Sequence, residues 1–329
     1  MRNLKCSRRV FKCLSLCAAI VAALAPLPPA VSADDAPEVF ARGYGSRAAG
    51  MGNSFVSIAN DASAVFWNPA GAGWIPRKTI TFSLTDIYFA DVDYSSVSYV
   101  HPVPGAGAIG LSLTRWNVDG IEKRDENNVV TGGLTDTQME MIASYSTPPV
   151  WNLTAAFGVK LDSQAMDGER ALGVGADLGL LYRRARPGGR SFSAGVSLRN
   201  VVEPVLDLRR ERTCFPRAAV FSACYGGVVS RYIDDWRFIV DLNAPSEHRG
   251  SANLGIEATV RPVSFRAGSL DGRLTAGVGT LWQGLAFDYA YSDEDYGRLH
   301  TFSLSVSFGA LAPALVSGPG ISEDEIAER

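Results

Sequence analysis

The chain predicts an all-β fold, a fourteen-stranded antiparallel transmembrane β-barrel, and three observations predict it. Runs of about ten residues alternate apolar and polar side chains with a period of two. The connections between them are tight at one end and long at the other, and the chain opens on an export segment. Ten residues let a tilted strand cross a bilayer, whereas strands of soluble sheets favour about five or six.

The export segment is read first. Arg2, Lys5, Arg8, Arg9 and Lys12 form a basic region, Cys13 to Leu27 is apolar but broken by Pro26, and Val31-Ser32-Ala33 is a small-residue cleavage site. This pattern predicts a cleaved signal peptide over residues 1–33. A membrane-spanning helix needs about 20 apolar residues, and this run is shorter. Ser7–Lys12 partly matches a twin-arginine address, but that route carries folded cargo and a barrel must reach its membrane unfolded. Leu14–Cys17 fails as a lipoprotein box because Leu16 is too large beside the cysteine. Cleavage leaves Cys214 and Cys224, which an exported protein could oxidise. The turn and strand between them separate the two α-carbons beyond the roughly 7 Å limit of a bridge, so no disulfide is expected.

Residues 34–77 predict an N-terminal plug. Arg42 to Trp74 is rich in Gly and Ala, Asp61 is placed to cap a helical turn over Ala62–Trp67, and Asn68-Pro69 stops it. Irregular backbone of this kind is tolerated inside a lumen, away from lipid.

The barrel is predicted over residues 78–308. Its strands fall near 78–87, 93–101, 107–117, 138–147, 153–163, 171–184, 190–200, 217–226, 236–244, 249–261, 262–269, 272–281, 284–292 and 299–308. The last is the clearest, with Phe302, Leu304, Val306 and Phe308 alternating with Thr301, Ser303, Ser305 and Ser307. Connections on the inner side are mostly tight and built on turn residues, such as Pro102–Gly105, Arg186–Gly189 and Trp282–Gly284. Gly227–Asp235 is the exception. The longest connections, 118–137 and 201–216, both fall on the outer side. Short periplasmic turns, long external loops and an even strand number are marks of a bacterial outer-membrane barrel.

If the apolar face meets lipid, Lys160, Asp177, Asp241, Glu257, Arg266 and Asp288 line the lumen. A one-residue slip would carry such charges into hydrocarbon, at about 2–4 kcal/mol for each Arg or Lys at the midplane. Arg115 shares the apolar face and would snorkel to the headgroups. Trp116, Trp151, Trp236, Trp282 and Tyr225 suit interfacial belts. The alternative is a soluble β-sandwich or barrel with its apolar face inward. Residues 309–329 carry Pro, Gly and Ser, then Glu323, Asp324, Glu325 and Glu328, and read as a mobile periplasmic tail.

Ser46–Gly52 (SRAAGMG), Asp61–Ala64 (DASA) and Asn68–Gly71 (NPAG) in the plug carry a family resemblance, joined by Ser193–Val201, Pro216-Arg217, Thr275–Gly279 and Asp288–Tyr291 downstream. The chain resembles the FadL-type outer-membrane transporters, and more closely their PorV/PorQ-like branch. The resemblance implies a plug held in the lumen. It also implies that Asn68, Pro69, Ala70 and Gly71, with Asp61, either gate the pore or fold the plug. Phe308 ends the last strand as the aromatic terminal residue of a signal for the outer-membrane barrel assembly machinery would, although Gly309–Arg329 follow it, unlike the common pattern.

Enzyme readings fail. Gly43–Ala48 matches G-x-G-x-x-A but lacks the strand and βαβ unit a dinucleotide needs. His101, His248 and His300 are scattered, without metal-ligand spacing. Asp91/Asp93 and Asp293/Glu294/Asp295 read as solvated loop charges, and no cofactor is expected. A formal net charge of −3 with 20% charged residues gives no nucleic-acid surface. Two functions remain. One is passive uptake of hydrophobic or amphipathic small molecules, fatty-acid-like by resemblance. The other is a PorV-like interaction subunit of a protein-secretion or surface-attachment machine, with the loops at 118–137 and 201–216 binding protein. The expected surroundings are outer-membrane lipid.

Overall fold

A computed structural model describes residues 43–87, 92–208, 211–228, 234–246, 250–294 and 297–310. The predicted signal peptide, the start of the plug and the tail beyond residue 310 lie outside the described residues, as do Asp91, His248 and Asp295. The plug carries two one-turn helices, α1 (Ser46–Ala49) and α2 (Ala64–Trp67), and a 3-10 helix, Pro69–Trp74. Then come β1 (Lys78–Ile87), β2 (Val92–Val103), β3 (Gly107–Arg124), β4 (Val130–Ser146), β5 (Leu153–Met166), β6 (Glu169–Arg186) and β7 (Arg190–Val202). Two short strands follow, β8 (Val205–Leu208) and β9 (Glu211–Cys214). The series ends with β10 (Ala218–Gly227), β11 (Asp235–Pro245), β12 (Ser251–Val260), β13 (Val263–Leu270), β14 (Arg273–Trp282), β15 (Leu285–Glu294) and β16 (Gly297–Phe308).

Fourteen of these strands, all but β8 and β9, form one closed antiparallel ring. Each pairs with its neighbours in sequence, and β16 returns to β1 from Lys78↔Phe308 to Ile87↔Leu299. Closure abolishes free sheet edges, the condition for strands in hydrocarbon. Hydroxyls line the seam on the lumen side: Thr79 meets Ser307 at 3.1 Å, Thr81 meets Ser305 at 2.8 Å and Thr85 meets Thr301 at 3.1 Å.

The apolar face points outward. Leu84 is 62% exposed and Leu172 68%, and Phe82, Leu111, Phe157, Val174, Phe238, Ile256, Phe265 and Phe302 stand on the same exterior. Water would penalise such a belt by about 0.8 kcal/mol per methylene, whereas acyl chains accept it. The soluble-sandwich alternative, with apolar residues inward, is thereby overturned. Trp151 and Trp282 stand exposed at the short-turn end, and Tyr225 packs edge-on against Trp236 at 5.9 Å, forming one aromatic girdle.

Three expectations are corrected. Trp116 leaves the belt: it faces the lumen and packs against Tyr94, ring centroids 5.3 Å apart. The expected loop 118–137 is a paired ribbon, β3 running on to Arg124↔Val130 with register shifts after Val118 and Lys123. It stands clear of the ring, because β5 stops pairing with β4 at Asp136↔Met166. Its pairs mix apolar, charged and small residues, Ile121↔Leu134 beside Glu122↔Gly133 and Lys123↔Gly132, so alternation is faint there. Residues 201–216 do not form an open outer loop; they fold into the β8–β9 hairpin, which turns inward. Arg115 stands exposed on the outer face, as expected, and donates to Asn117 Oδ1 at 3.2 Å. Cys214 and Cys224 are free thiols.

Candidate functional site

The plug fills the lumen between strands that supply it with hydroxyls, carboxylates and bare backbone. Tyr44, Phe55, Phe66 and Trp67 make its small apolar heart, with Phe66 and Trp67 edge-on at 5.3 Å. The sequence placed Asp61 as the cap of a turn over Ala62–Trp67. The helix instead begins at Ala64, and Asp61 Oδ1 accepts from the Ser63 N–H at 2.9 Å and hydroxyl at 2.5 Å, just ahead of it.

Asn68 sits at the centre of the Asn-Pro-Ala-Gly element and is fully buried. Its amide nitrogen donates to Val56 O and Leu180 O, each at 3.1 Å, and its Oδ1 accepts from Ala70 N–H at 3.2 Å. Pro69 opens the 3-10 turn, where its missing N–H has no role to lose. Ala70 O accepts from Thr154 Oγ1 at 2.9 Å and Ser146 Oγ at 3.2 Å. The element thus ties the plug to β4, β5 and β6.

Elsewhere the wall reaches in. Asp241 Oδ2 accepts from Phe55 N–H at 3.1 Å and Val56 N–H at 3.2 Å, while its Oδ1 takes the Ser222 hydroxyl. Tyr44 Oη lies 2.8 Å from Ser98 Oγ and 2.5 Å from Ser112 Oγ; burial pushes its phenol well above the usual range. Glycines set the distance of approach. A Cβ on Gly268 would stand 2.3 Å from Met51 C, and one on Gly179 would stand 2.3 Å from Asn68 Oδ1. Neither wall position admits a larger residue while the plug is seated.

Two buried ionic groups face the lumen. In the first, Arg47 of the plug grips Glu257 with two bonds, Nε to Oε1 at 2.9 Å and Nη2 to Oε2 at 2.8 Å. Arg266 Nε donates to the same Oε1 at 2.8 Å and Arg266 Nη1 to Asp288 Oδ1 at 2.7 Å. Arg237 reaches Glu257 Oε2 at 3.3 Å. In the second, Lys160 lies 2.9 Å from Asp177 Oδ2 and 3.3 Å from Glu140 Oε2. All six residues expected along the lumen therefore point into it, but they fall in three places: Glu257, Arg266 and Asp288 together, Lys160 with Asp177, and Asp241 alone beneath the plug.

Above the second group the β8–β9 hairpin turns into the outer mouth on the side of β5 and β6. Leu206 is fully buried and, with Phe215 and Leu208, packs against Ala171 of β6 and Trp116 of β3. A small depression open to solvent, with about 20 Å³ of room, lies beside Tyr44, Asn53, Tyr94 and Leu299. The sequence reading missed Arg47, Tyr44, Glu140, Asp162 and Arg237. The alternation that found Lys160 also puts Glu140 and Asp162 inward, whereas Arg47 and Tyr44 lie in irregular backbone where no period marks a face.

No family model and no curated protein matches the chain. Solved structures do resemble it. The toluene transporter TodX of Pseudomonas putida is 13% identical with a TM-score of 0.55, the match covering 82% of this chain and 99% of that one. The toluene transporter TbuX of Ralstonia pickettii is 14% identical with a TM-score of 0.52, covering 82% and 99%. A FadL homologue of Pseudomonas aeruginosa is 13% identical with a TM-score of 0.50, covering 81% and 98%. At such identities the likeness is one of fold: a fourteen-stranded barrel.

Proposed function

We propose, for a bacterial outer-membrane barrel of the FadL-type fold, that this chain admits small hydrophobic or amphipathic molecules passively across the outer membrane. One observation carries the reading. The outer mouth of the lumen holds an apolar cluster, Trp116, Ala171, Leu206, Leu208 and Phe215, and the hairpin half of it is the part a ligand would displace. An alkyl or aromatic compound replaces those side chains at about 0.8 kcal/mol per buried methylene. Inward passage then requires the plug to shift. It is attached to the wall by hydrogen bonds and ion pairs, which water can replace, and by apolar contacts with Val100, Ala108, Ile142 and Ile239. Aromatic hydrocarbons fit this mouth as well as fatty-acid chains do, and resemblance alone favours the latter.

Saturable quenching of Trp116 fluorescence by toluene or decanoate, absent in Trp116→Phe, tests the reading. Leu206→Ala, which vacates part of the mouth, is expected to tighten binding. Failure of both ligands to bind saturably overturns it.

A second reading, the PorV-like interaction subunit, draws on a different observation: the β3–β4 ribbon projects beyond the ring while the plug fills the lumen. This outer element stands free for a protein partner, whereas the β8–β9 hairpin is turned inward. Affinity capture from membranes with and without residues 119–135 discriminates, because ribbon-dependent recovery of secretion components supports the second reading alone.

A further inference from the structure

The lumen wall carries a row of oxygen atoms that the fold leaves without partners. Register sets Ser96 of β2 opposite Thr114 of β3, Thr114 opposite Glu140 of β4, and Glu140 opposite Asp162 of β5. Directly paired side chains stand about 4.5–5.5 Å apart at Cβ, so the four form one continuous line. They are 8%, 1%, 2% and 1% exposed in that order. Ser96 Oγ, Thr114 Oγ1, Glu140 Oε1 and Asp162 Oδ1 each lack a hydrogen-bond partner. Buried polar groups are nearly always satisfied, and four consecutive exceptions ask for a cause.

The neighbouring ion pairs do not supply one. Lys160 spends its ammonium on the other Glu140 oxygen and on Asp177 Oδ2. The remaining Asp177 oxygen accepts from Asn200 N–H at 2.7 Å. Arg199 lies over the Phe66 ring at 4.1 Å. With all three carboxylates ionised, Glu140, Asp162 and Asp177 against Lys160 and Arg199 leave one negative charge in excess. That excess lies on the side of the row, not of the lysine. Gly173, paired with Asp162, is in near contact with the backbone of Val205, so the inward hairpin roofs the row.

We propose that this row binds a hard monovalent cation of sodium type, held between Glu140 and Asp162 with Thr114 as a neutral ligand and Ser96 at the end of the line. Carboxylate and hydroxyl oxygens favour hard cations over soft metals. Among the described residues no three His, Cys, Asp or Glu gather as a metal cluster, and a site of two carboxylates and hydroxyls does not need them. One charge balances the excess, whereas a calcium ion would leave a surplus positive charge beside Lys160. The bound cation would join β3, β4 and β5 beneath the hairpin.

The test uses the purified full-length barrel in detergent. Its unfolding midpoint is followed as sodium, potassium or calcium chloride replaces choline chloride at constant ionic strength. A saturable rise in sodium is expected, with apparent affinity about tenfold or more weaker in Thr114→Val, by the scale of losses around metal sites, and no rise in Glu140→Gln/Asp162→Asn. Thr114→Val keeps every charge and so remains informative if the double variant fails to fold. A midpoint indifferent to the cation, a rise seen only with calcium, a rise on acidification alone through a shared proton, or a sodium response that survives in both variants would overturn the assignment. Ligand quenching of Trp116 is read separately, so the fate of the uptake reading is distinguishable.

Discussion

Glu257 joins the plug to the wall more directly than a hydrophobic contact could. Arg47, Arg237 and Arg266 all converge on its two oxygens. Glu257→Gln leaves three guanidinium groups facing one another, and breaking a buried ion pair costs about 3–5 kcal/mol. A loss of that order is expected in urea unfolding of the detergent-solubilised barrel. Arg47→Met is expected to cost less, because Glu257 keeps two partners, yet to loosen the plug, read as faster labelling of a cysteine placed at Ser57. Asn68→Ala strips partners from Val56 O, Leu180 O and Ala70 N–H; each unsatisfied buried group costs about 1–3 kcal/mol. Tyr44 adds an alkaline limit. Its folded pKa lies above its unfolded value, so its contribution is full below about pH 10 and is lost as pH rises from there toward the folded value. Tyr44→Phe should flatten that alkaline fall in the unfolding midpoint.

At the scale of elements, β8 and β9 behave as a stopper made of the chain's own side chains. Leu206→Asp sets a charge into the cluster of Trp116, Ala171 and Phe215, and the hairpin is expected to swing out. Proteolysis near residue 210 should then cut the variant and spare the parent. The barrel strands were legible because lipid on one side and polar lumen on the other impose a period of two, so Lys160, Asp177, Asp241, Glu257, Arg266 and Asp288 could be assigned inward one by one. The hairpin was not legible. Its strands are four residues each, and its fold depends on Ala171 and Trp116, which are distant in sequence. The ribbon beyond Val118 was hidden for a related reason: neither face meets a second phase, so nothing sorts its residues into apolar and polar. Arg47 and Tyr44 could be recognised as anchors only once the strands opposite them were known.

For the whole molecule, wall and plug are fitted by subtraction. Inward glycines on β6, β7, β12, β13 and β14 leave room that Asn68, Val56, Met51 and Gly50 occupy. Gly268→Leu therefore pits one wall side chain against the seated plug. The ring, held by its own ladder, is expected to survive and still migrate as a heat-modifiable barrel, while ion conductance across planar bilayers rises above that of the parent. The seam carries the remaining consequence. Ser46 of the plug bonds Ser303 of β16 through both its N–H, at 2.9 Å, and its hydroxyl, at 2.8 Å, while Tyr44 two residues earlier bonds Ser98 of β2. The amino-terminal cork thus touches staves on both sides of the joint that is last to be synthesised. It therefore straps that joint from within as well as filling the bore.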